Sequence, residues 1–377
     1  MKTKKIIFLT GTRADFGKLR PLIDKVEEAK NFECHVFVTG MHTLERYDFT
    51  YKEVKKRGYK NIFVFMNDSH IPQQDIVLSN TVVGLSDFVS KISPDMIVVH
   101  GDRIEALAGA IVGAFNNILV CHIEGGELTG SIDEMIRHSI TKLSHIHMVS
   151  NTKAKKRLIQ MGESKNSVFV IGSPDIDVMI GKNLPTKKQL CQTYEIPFTD
   201  YSILIFHPVT TTIKTLKHDI GELLLSVKNS QKNYVIIYPN NDPGSEIILN
   251  AYKNLKNNKN IKIFSSLRFD YFLTLLKNCD FIIGNSSSGI TEAEIYGIPA
   301  IDIGSRQKNR SNNKNIIHVE SDQKKILSAI KKISGKKFKL LRGFGYGKSA
   351  AYFIKILNNT PTWNIQIQKK FIDINPV

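Results

Sequence analysis

No apolar run in this chain approaches the ~18 residues that a bilayer-crossing helix needs. The stretch after the amino-terminal lysines, MKTKKIIFL, breaks at Thr10-Gly11-Thr12-Arg13, too early for a signal-peptide core. A cytoplasmic location is therefore expected. Cysteine is scarce: Cys34, Cys121, Cys191 and Cys279 stand far apart, with neither CxxC spacing nor a metal-ligand pattern, and are expected to be buried, reduced thiols. There is one tryptophan, Trp363, expected to pack rather than bind, and there is no low-complexity segment or short-period repeat. Acidic residues are few, 35 against 52 Lys and Arg, for a net charge of +17. Such an excess raises nucleic acid as a partner, but the lysines are diffuse and no aromatic stripe is interleaved with them. Neither nucleic acid nor membrane is expected as a partner; an anionic small substrate accounts for the charge more simply.

Two phosphate-binding signatures are also missing. Gly11 and Gly17 are six apart, whereas a dinucleotide fingerprint needs GxGxxG to bring backbone against a pyrophosphate, so NAD is not expected. The run Gly284-Asn285-Ser286-Ser287-Ser288-Gly289 lacks the GK[ST] ending of a P-loop, which disfavours ATP hydrolysis of that kind. No metal and no cofactor are expected.

What the chain does have is two half-chains in which short apolar runs each lead into a polar cluster. At 377 residues and 42% hydrophobic it has room for two domains of roughly 150 to 200 residues. In the first half IIFLT, DMIVVH and LVCHIE lead into Gly11-Thr12-Arg13, Gly101-Asp102-Arg103 and Glu124-Gly125-Gly126. In the second, SILIF, YVIIY and CDFII lead into His207-Pro208, Pro239-Asn240-Asn241 and the GNSSSG turn. FVTGM, NIFVF, HMVS and SVFVIG add strands to the first half, and IKIFSS and PAIDIG to the second. The alternation of such runs with helical patterns predicts parallel βαβ units, hence an α/β fold of two doubly wound domains. The boundary is expected in 181–200, where two prolines and polar residues intervene. Ligands of open α/β sheets bind at the carboxyl ends of the strands, so the clusters are expected to meet in an interdomain cleft.

Each cluster has an ordinary alternative beside its functional one. The glycine-serine turn offers backbone N–H groups, hydroxyls and a helix N-terminus to a diphosphate, or is plain N-capping by serine. Arg13 suits bidentate contact with phosphate, or an ion pair with Asp15. Glu292, one turn into the expected helix, suits ribose hydroxyls, and Arg306 follows the next strand. Asp102, Glu124 and Asp133 stand at or near neighbouring strand ends, where three carboxylates suit proton transfer; any one of them alone is as readily a turn former. His207 is placed to reach a phosphate or donate a proton, while His145 and His147 read as strand or core residues.

The motifs GTRADFGKLRPLI, VTGMH, HGDRIEALAGA, CHIEGGELTG, IRHSITKLSHIH, IGSPDID, FHPVTT, YPNND, GNSSSGI and TWN run in order along the chain. In them the sequence resembles the hydrolysing UDP-N-acetylglucosamine 2-epimerases of bacterial sialic acid synthesis. The resemblance implies a glycosyltransferase-B-like fold of two Rossmann-like domains, 1–183 and 184–355, with a segment 356–377 crossing back to the first. It implies conversion of UDP-N-acetylglucosamine and water to N-acetylmannosamine and UDP, and a homodimer. It implies catalytic roles for Asp102, Glu124, Asp133 and His207. Substrate and UDP contacts would fall on Arg13, Gly17, His42, Arg103, Arg137, Asn240, Asn241, Ser286, Ser287, Glu292 and Arg306. Thr291 departs from the family, which commonly carries arginine there. Relatives acting on UDP-2,4-diacetamido-2,4,6-trideoxyglucose for legionaminic acid tend to show AEYG where this chain has Ala14-Asp15-Phe16-Gly17. A glycosyltransferase of the same fold and a non-catalytic nucleotide-sugar sensor are further alternatives.

Overall fold

The computed structural model describes residues 3–67, 73–255, 257–307, 310, 313–340 and 343–373. Strands buried on both faces of a parallel sheet require continuous Val, Ile, Leu and Phe runs, and the apolar runs of the sequence become such strands. Among the described residues, the first sheet has β1 (Lys4–Thr10), β2 (Phe32–Val38), β3 (Asn61–Val64), β4 (Met96–His100), β5 (Leu119–Ile123), β6 (Ile146–Val149) and β7 (Val168–Val170). Their order is β3-β2-β1-β4-β5-β6-β7, all parallel. The second sheet has β8 (Ser202–Ile205), β9 (Tyr234–Ile237), β10 (Ile261–Phe264), β11 (Ile282–Gly284), β12 (Ala300–Ile303) and β13 (Ile316–Val319). Its order, β10-β9-β8-β11-β12-β13, repeats the same doubly wound scheme. β13 was not among the expected strands: it is a four-residue strand that pairs only with β12 in the sheet, and three of its four residues are at least partly exposed, so its apolar signal is weak.

The chain divides into two compact units. The first takes residues up to Glu127, Asp133–Gly181 and those from Gly343 on; the second takes Leu128–Ile132 and the span from Lys182 to 342. In the first unit β1 supplies both layers of the core by alternation. Ile6 and Phe8 join a cluster with Leu19, Ile23 and Val26 of helix Arg13–Glu28, while Ile7 and Leu9 join Leu85, Phe88 and Val89 of helix Gln74–Ile92. Helix Ser349–Leu357 adds Ala350, Phe353 and Leu357 to the Phe8 side, with the Phe8 and Phe353 rings 6.0 Å apart. Burying one such phenylalanine is worth about 2–3 kcal/mol. The return to the first unit thus comes at Gly343, earlier than the division at 355 read from the sequence, because this helix is part of the first core. Trp363 packs as expected, its ring 6.0 Å from that of Phe32.

The second core gathers Leu204, Ile236, Ile283 and Ile301 of its strands with Ile220 and Leu223 of helix Leu216–Asn229 and Ile326 and Ile330 of helix Gln323–Ile333. The interval 181–200, read as linker, contains a helix, Lys187–Tyr194. A capping box starts it: the Thr186 hydroxyl accepts from Gln189 N–H at 3.2 Å while the Gln189 side chain accepts from Thr186 N–H at 2.8 Å. No cysteine is in a disulfide; Cys34, Cys121 and Cys279 are buried, and Cys191 is half-buried. Among the described residues no helix is long and apolar enough to cross a membrane.

Strand order reverses between β1 and β4 in one sheet and between β8 and β11 in the other, and crevices form at the carboxyl ends of strands at such points. Gly11 and Gly101 follow β1 and β4, and the last residue of β11 is Gly284. Gly284 has φ of +132°, and a Cβ there would lie 1.9 Å from the Ile205 carbonyl oxygen, so no other residue fits beside β8.

Candidate active site

The register of β4 against β5 sets His100 beside Ile123, so the residues that follow them are neighbours. Gly101 N–H donates to Ile123 O at 3.0 Å, and Glu124 N–H donates to Met148 O at 3.0 Å. Glu124 turns out of the strand with φ of +63°, a left-handed conformation that costs a non-glycine residue roughly 1–2 kcal/mol. Its side chain is held from two sides. His100 Nε2 lies 3.1 Å from Glu124 Oε2, and the Ser173 hydroxyl donates to Oε1. The other ring nitrogen of His100, Nδ1, lies 2.7 Å from Asp15 Oδ1. Asp15 Oδ2 in turn accepts from Gly11 N–H at 3.2 Å, and Asp15 N–H donates to the Thr12 hydroxyl at 3.0 Å. A carboxylate, an imidazole and a second carboxylate thus form one chain across the ends of β1, β4 and β5.

The charges follow from this geometry. Burial alone lowers the His100 imidazole, but Glu124 and Asp15 on its two nitrogens outweigh that and carry it up to about 10. Burial likewise opposes ionisation of Glu124, yet the His100 charge, helped by Lys18 and the Ser173 hydrogen bond, holds it well below the usual carboxylate range. Lys18 Nζ is 3.5 Å from Asp175. Beside this chain Arg137, only 3% exposed, donates to Asp102 and, at 3.0 Å, to the Glu127 carbonyl. His122, fully buried, faces the Gly101 carbonyl with Nε2 at 2.8 Å and the Thr141 hydroxyl with Nδ1 at 3.2 Å. Burial pushes it down to about 3, so the ring is neutral, donating to the carbonyl and accepting from the hydroxyl. It braces the turn that presents Asp102.

Other expected contacts stand differently. Arg13 forms a two-pronged ion pair with Glu53, with Nε 3.0 Å from Oε2. Arg103 pairs with buried Glu105 at 3.3 Å. Gly17 is buried within helix Arg13–Glu28. His42 is fully buried between the Thr10 hydroxyl, 3.2 Å from Nε2, and the Thr50 hydroxyl, 2.8 Å from Nδ1, and burial pushes it down to about 4. A side chain held in this way supports the turn after β2. Asp133 lies in the first turn of helix Ile132–Leu143. His145 and His147 are buried, as expected, His147 within β6.

In the second unit Asn285 ties the strand ends together. Its side chain accepts from His207 N–H at 2.7 Å and donates to His207 O at 2.8 Å, and its carbonyl accepts from Arg306 Nη1 at 3.2 Å. Asn240 N–H donates to His207 Nδ1 at 3.1 Å, so in the neutral ring Nε2 carries the hydrogen. His207, Asn240, Asn285 and Arg306 therefore form one group. The Ser286 hydroxyl accepts from Ser288 N–H at 3.3 Å, which is the capping reading of the turn. A 3-10 turn, Ser287–Gly289, and a four-residue helix, Glu292–Ile295, stand where one longer helix was expected. Glu292 is 2% exposed and accepts from the Thr291 hydroxyl. Asn241 and Ser287 are half-buried.

The sequence model of the UDP-N-acetylglucosamine 2-epimerase family matches residues 24–358. The chain belongs to that family. It is 46% identical to a UDP-N-acetylglucosamine 2-epimerase of Neisseria meningitidis serogroup B, over 99% of this chain and 100% of the relative. It is 34% identical to the polysialic acid biosynthesis protein P7 of Escherichia coli, over 89% and 87% of the two chains. Identity is 31% to a UDP-N,N'-diacetylbacillosamine 2-epimerase (hydrolyzing) of Legionella pneumophila, over 95% and 96%. The fold is shared with the Methanocaldococcus jannaschii UDP-GlcNAc 2-epimerase crystallised with UDP-GlcNAc and UDP: TM-score 0.80 at 23% identity, covering 94% of this chain and 99% of the other. Two Rossmann-like domains of glycosyltransferase-B type, the expected class, are thus the fold of this family member.

Sequence reasoning did not single out His100, Asp15 as its partner, Ser173 or Asn285. All four lie inside quoted motifs. The signal for His100 was a polar residue closing a buried strand directly before Gly-Asp.

Proposed function

We propose that the protein hydrolyses UDP-N-acetylglucosamine with inversion at C2, giving N-acetylmannosamine and UDP for sialic acid synthesis. The observation that carries this reading is the pair of carboxylates at adjacent strand ends, each with its own buried cation: Glu124 on His100, Asp102 on Arg137. Simple glycosyl transfer has no use for several such groups, whereas two proton transfers at one carbon need them.

The C2 hydrogen of the sugar is scarcely acidic. Departure of UDP from C1 builds oxocarbenium character that weakens the C2–H bond. In the elimination the C1–O bond breaks with its electrons going to the diphosphate, a carboxylate takes the C2 proton, and a 2-acetamidoglucal remains. Water then adds at C1, its proton going to a base, while an acid protonates the opposite face of C2. Asp102 and Asp133 are assigned to the elimination, Glu124 to the hydration, and His207 to the diphosphate side. Arg13, Arg103, Asn240, Asn241, Ser286, Ser287, Glu292 and Arg306 are assigned to the nucleotide and sugar, with donors stabilising the charge that grows on the leaving group. Arg13 would exchange Glu53 for phosphate. Support for the sugar comes from the 46% identity to a UDP-N-acetylglucosamine 2-epimerase, against 31% to the diacetylbacillosamine enzyme. The Ala14-Asp15-Phe16-Gly17 run points the same way. A cytoplasmic homodimer completes the proposal, and the absence of any disulfide is compatible with that compartment.

The test is proton NMR of the purified protein with UDP-N-acetylglucosamine in deuterated water. Release of UDP with N-acetylmannosamine deuterated at C2 is expected. UDP-N-acetylmannosamine as product would remove hydrolysis from the proposal. Turnover of the 2,4-diacetamido sugar alone would move the protein to the legionaminic branch.

A further inference from the structure

We propose that His100 is a positioning residue for the epimerase chemistry: clamped between Asp15 and Glu124, it fixes the Glu124 carboxylate in one orientation and in its basic form. The inference rests on the functional reading above and assigns Glu124 the part of base.

The geometry is specific. Both ring nitrogens of His100 are engaged by carboxylates, at 2.7 Å and 3.1 Å, and the side chain is only 9% exposed. A neutral imidazole has one N–H and could satisfy only one of two acceptors, whereas the imidazolium donates to both. The remaining Glu124 oxygen is taken by Ser173, so the carboxylate cannot rotate freely. Titratable groups face the pair from each neighbouring element: Asp15 and Lys18 from helix Arg13–Glu28, the neutral His122 from β5, and Asp175 of helix Pro174–Met179 through Lys18. Of these, Asp15 is the one that bonds the ring. It keeps the imidazolium compensated when Glu124 is neutralised by an incoming proton, so His100 need not lose its own.

The proton balance is then complete for the hydration step. Water oxygen bonds to C1, the π electrons of the glycal take a proton at C2 from a separate acid, and the water proton goes to Glu124. His100 keeps both N–H protons throughout. Glu124 returns to its carboxylate by releasing the proton to solvent as product leaves.

Two measurements test this. First, His100→Gln and His100→Asn are compared with wild type for kcat and KM across pH, with UDP affinity as a check on folding. Without the clamp the Glu124 carboxylate is free to leave its orientation, so kcat is expected to fall about 100-fold at neutral pH, and the lost cation lets the carboxyl protonate at higher pH. KM and the UDP Kd should change less than threefold, and the acid limb of kcat should move up by at least one pH unit. A profile unchanged in shape, with kcat within threefold of wild type, would overturn the proposal; so would loss of UDP binding parallel to the loss of kcat. Second, the ring nitrogens of His100 are read by long-range proton–nitrogen NMR in the free protein, assigned by the loss of one signal set in His100→Gln. Both nitrogens protonated at pH 8 in the wild type and still protonated in Glu124→Gln, with one released in the double variant Asp15→Asn, Glu124→Gln, is the expected result; a neutral ring at pH 8 in the wild type would overturn the clamp. Failure of the wild type to turn over either nucleotide sugar would sink the functional reading, while the nitrogen spectrum still decides whether His100 is held as stated.

Discussion

Three buried imidazoles of this protein, His42, His100 and His122, differ by partner rather than by depth. His42 and His122 meet only hydroxyls and a carbonyl through their ring nitrogens, and burial keeps them neutral, at about 4 and about 3. His100 meets two carboxylates and is carried up to about 10. The three have opposite effects on stability. Below pH 6.5 the unfolded chain binds protons that folded His42 and His122 refuse, so stability should fall as pH drops from about 6.5 to about 4. For His100 the folded value lies above the unfolded one, so its contribution is full below about 6.5 and is lost as pH rises towards about 10. Thermal unfolding followed across this range should give a maximum near neutrality, with an alkaline decline that is shallower in His100→Gln. An alkaline limb unaffected by that substitution would contradict the charge assigned to the ring.

At the scale of elements, the segment after Trp363 fastens the helix that carries Asp133. Lys369 Nζ donates to the carbonyls of Thr141, at 3.2 Å, and Ser144, at 2.6 Å, and to Glu163 at 2.6 Å. A cation at the carboxyl end of helix Ile132–Leu143 also complements its dipole. Glu163, buried, is shared with His147 at 3.0 Å and Lys142 at 2.8 Å, and these partners, against the cost of burial, pull it down to about 2. Lys369→Met leaves Glu163 short of one cation and should destabilise the first unit by about 2–3 kcal/mol. Urea unfolding followed at Trp363 reports that transition; a midpoint equal to wild type would show the contact to be energetically idle. Such long links mark the limit of the sequence. Strands with both faces covered announced themselves as apolar runs, and so did the polar residues ending them. The partner of Arg13 lies 40 residues away and that of His100 lies 85 away, and no local pattern encodes either pairing. The helix Lys187–Tyr194 was legible in principle, through its Thr186-x-x-Gln189 box, but two prolines nearby argued for a linker.

Over the whole molecule the charge of +17 has a kinetic consequence. A net positive field raises the encounter rate of a diphosphate and is screened over about 10 Å at 0.1 M salt. Raising ionic strength from about 10 mM to about 0.5 M should lower kcat/KM for a nucleotide sugar several-fold while kcat holds. A salt-independent kcat/KM would mean that the lysines serve some other end.

The first unit is not continuous in sequence: β1 and the helix that covers Phe8 on one face are joined only when residues beyond Gly343 exist. During synthesis the ribosome therefore releases a sheet whose Phe8 side has helix Arg13–Glu28 but lacks helix Ser349–Leu357 until that helix has emerged, while the span 182–342 already holds its own core. The later segment is free to fold before the earlier one is finished. A nascent chain of this kind presents part of an apolar face to chaperones until that helix arrives, and a stop before residue 349 removes a wall of the first core.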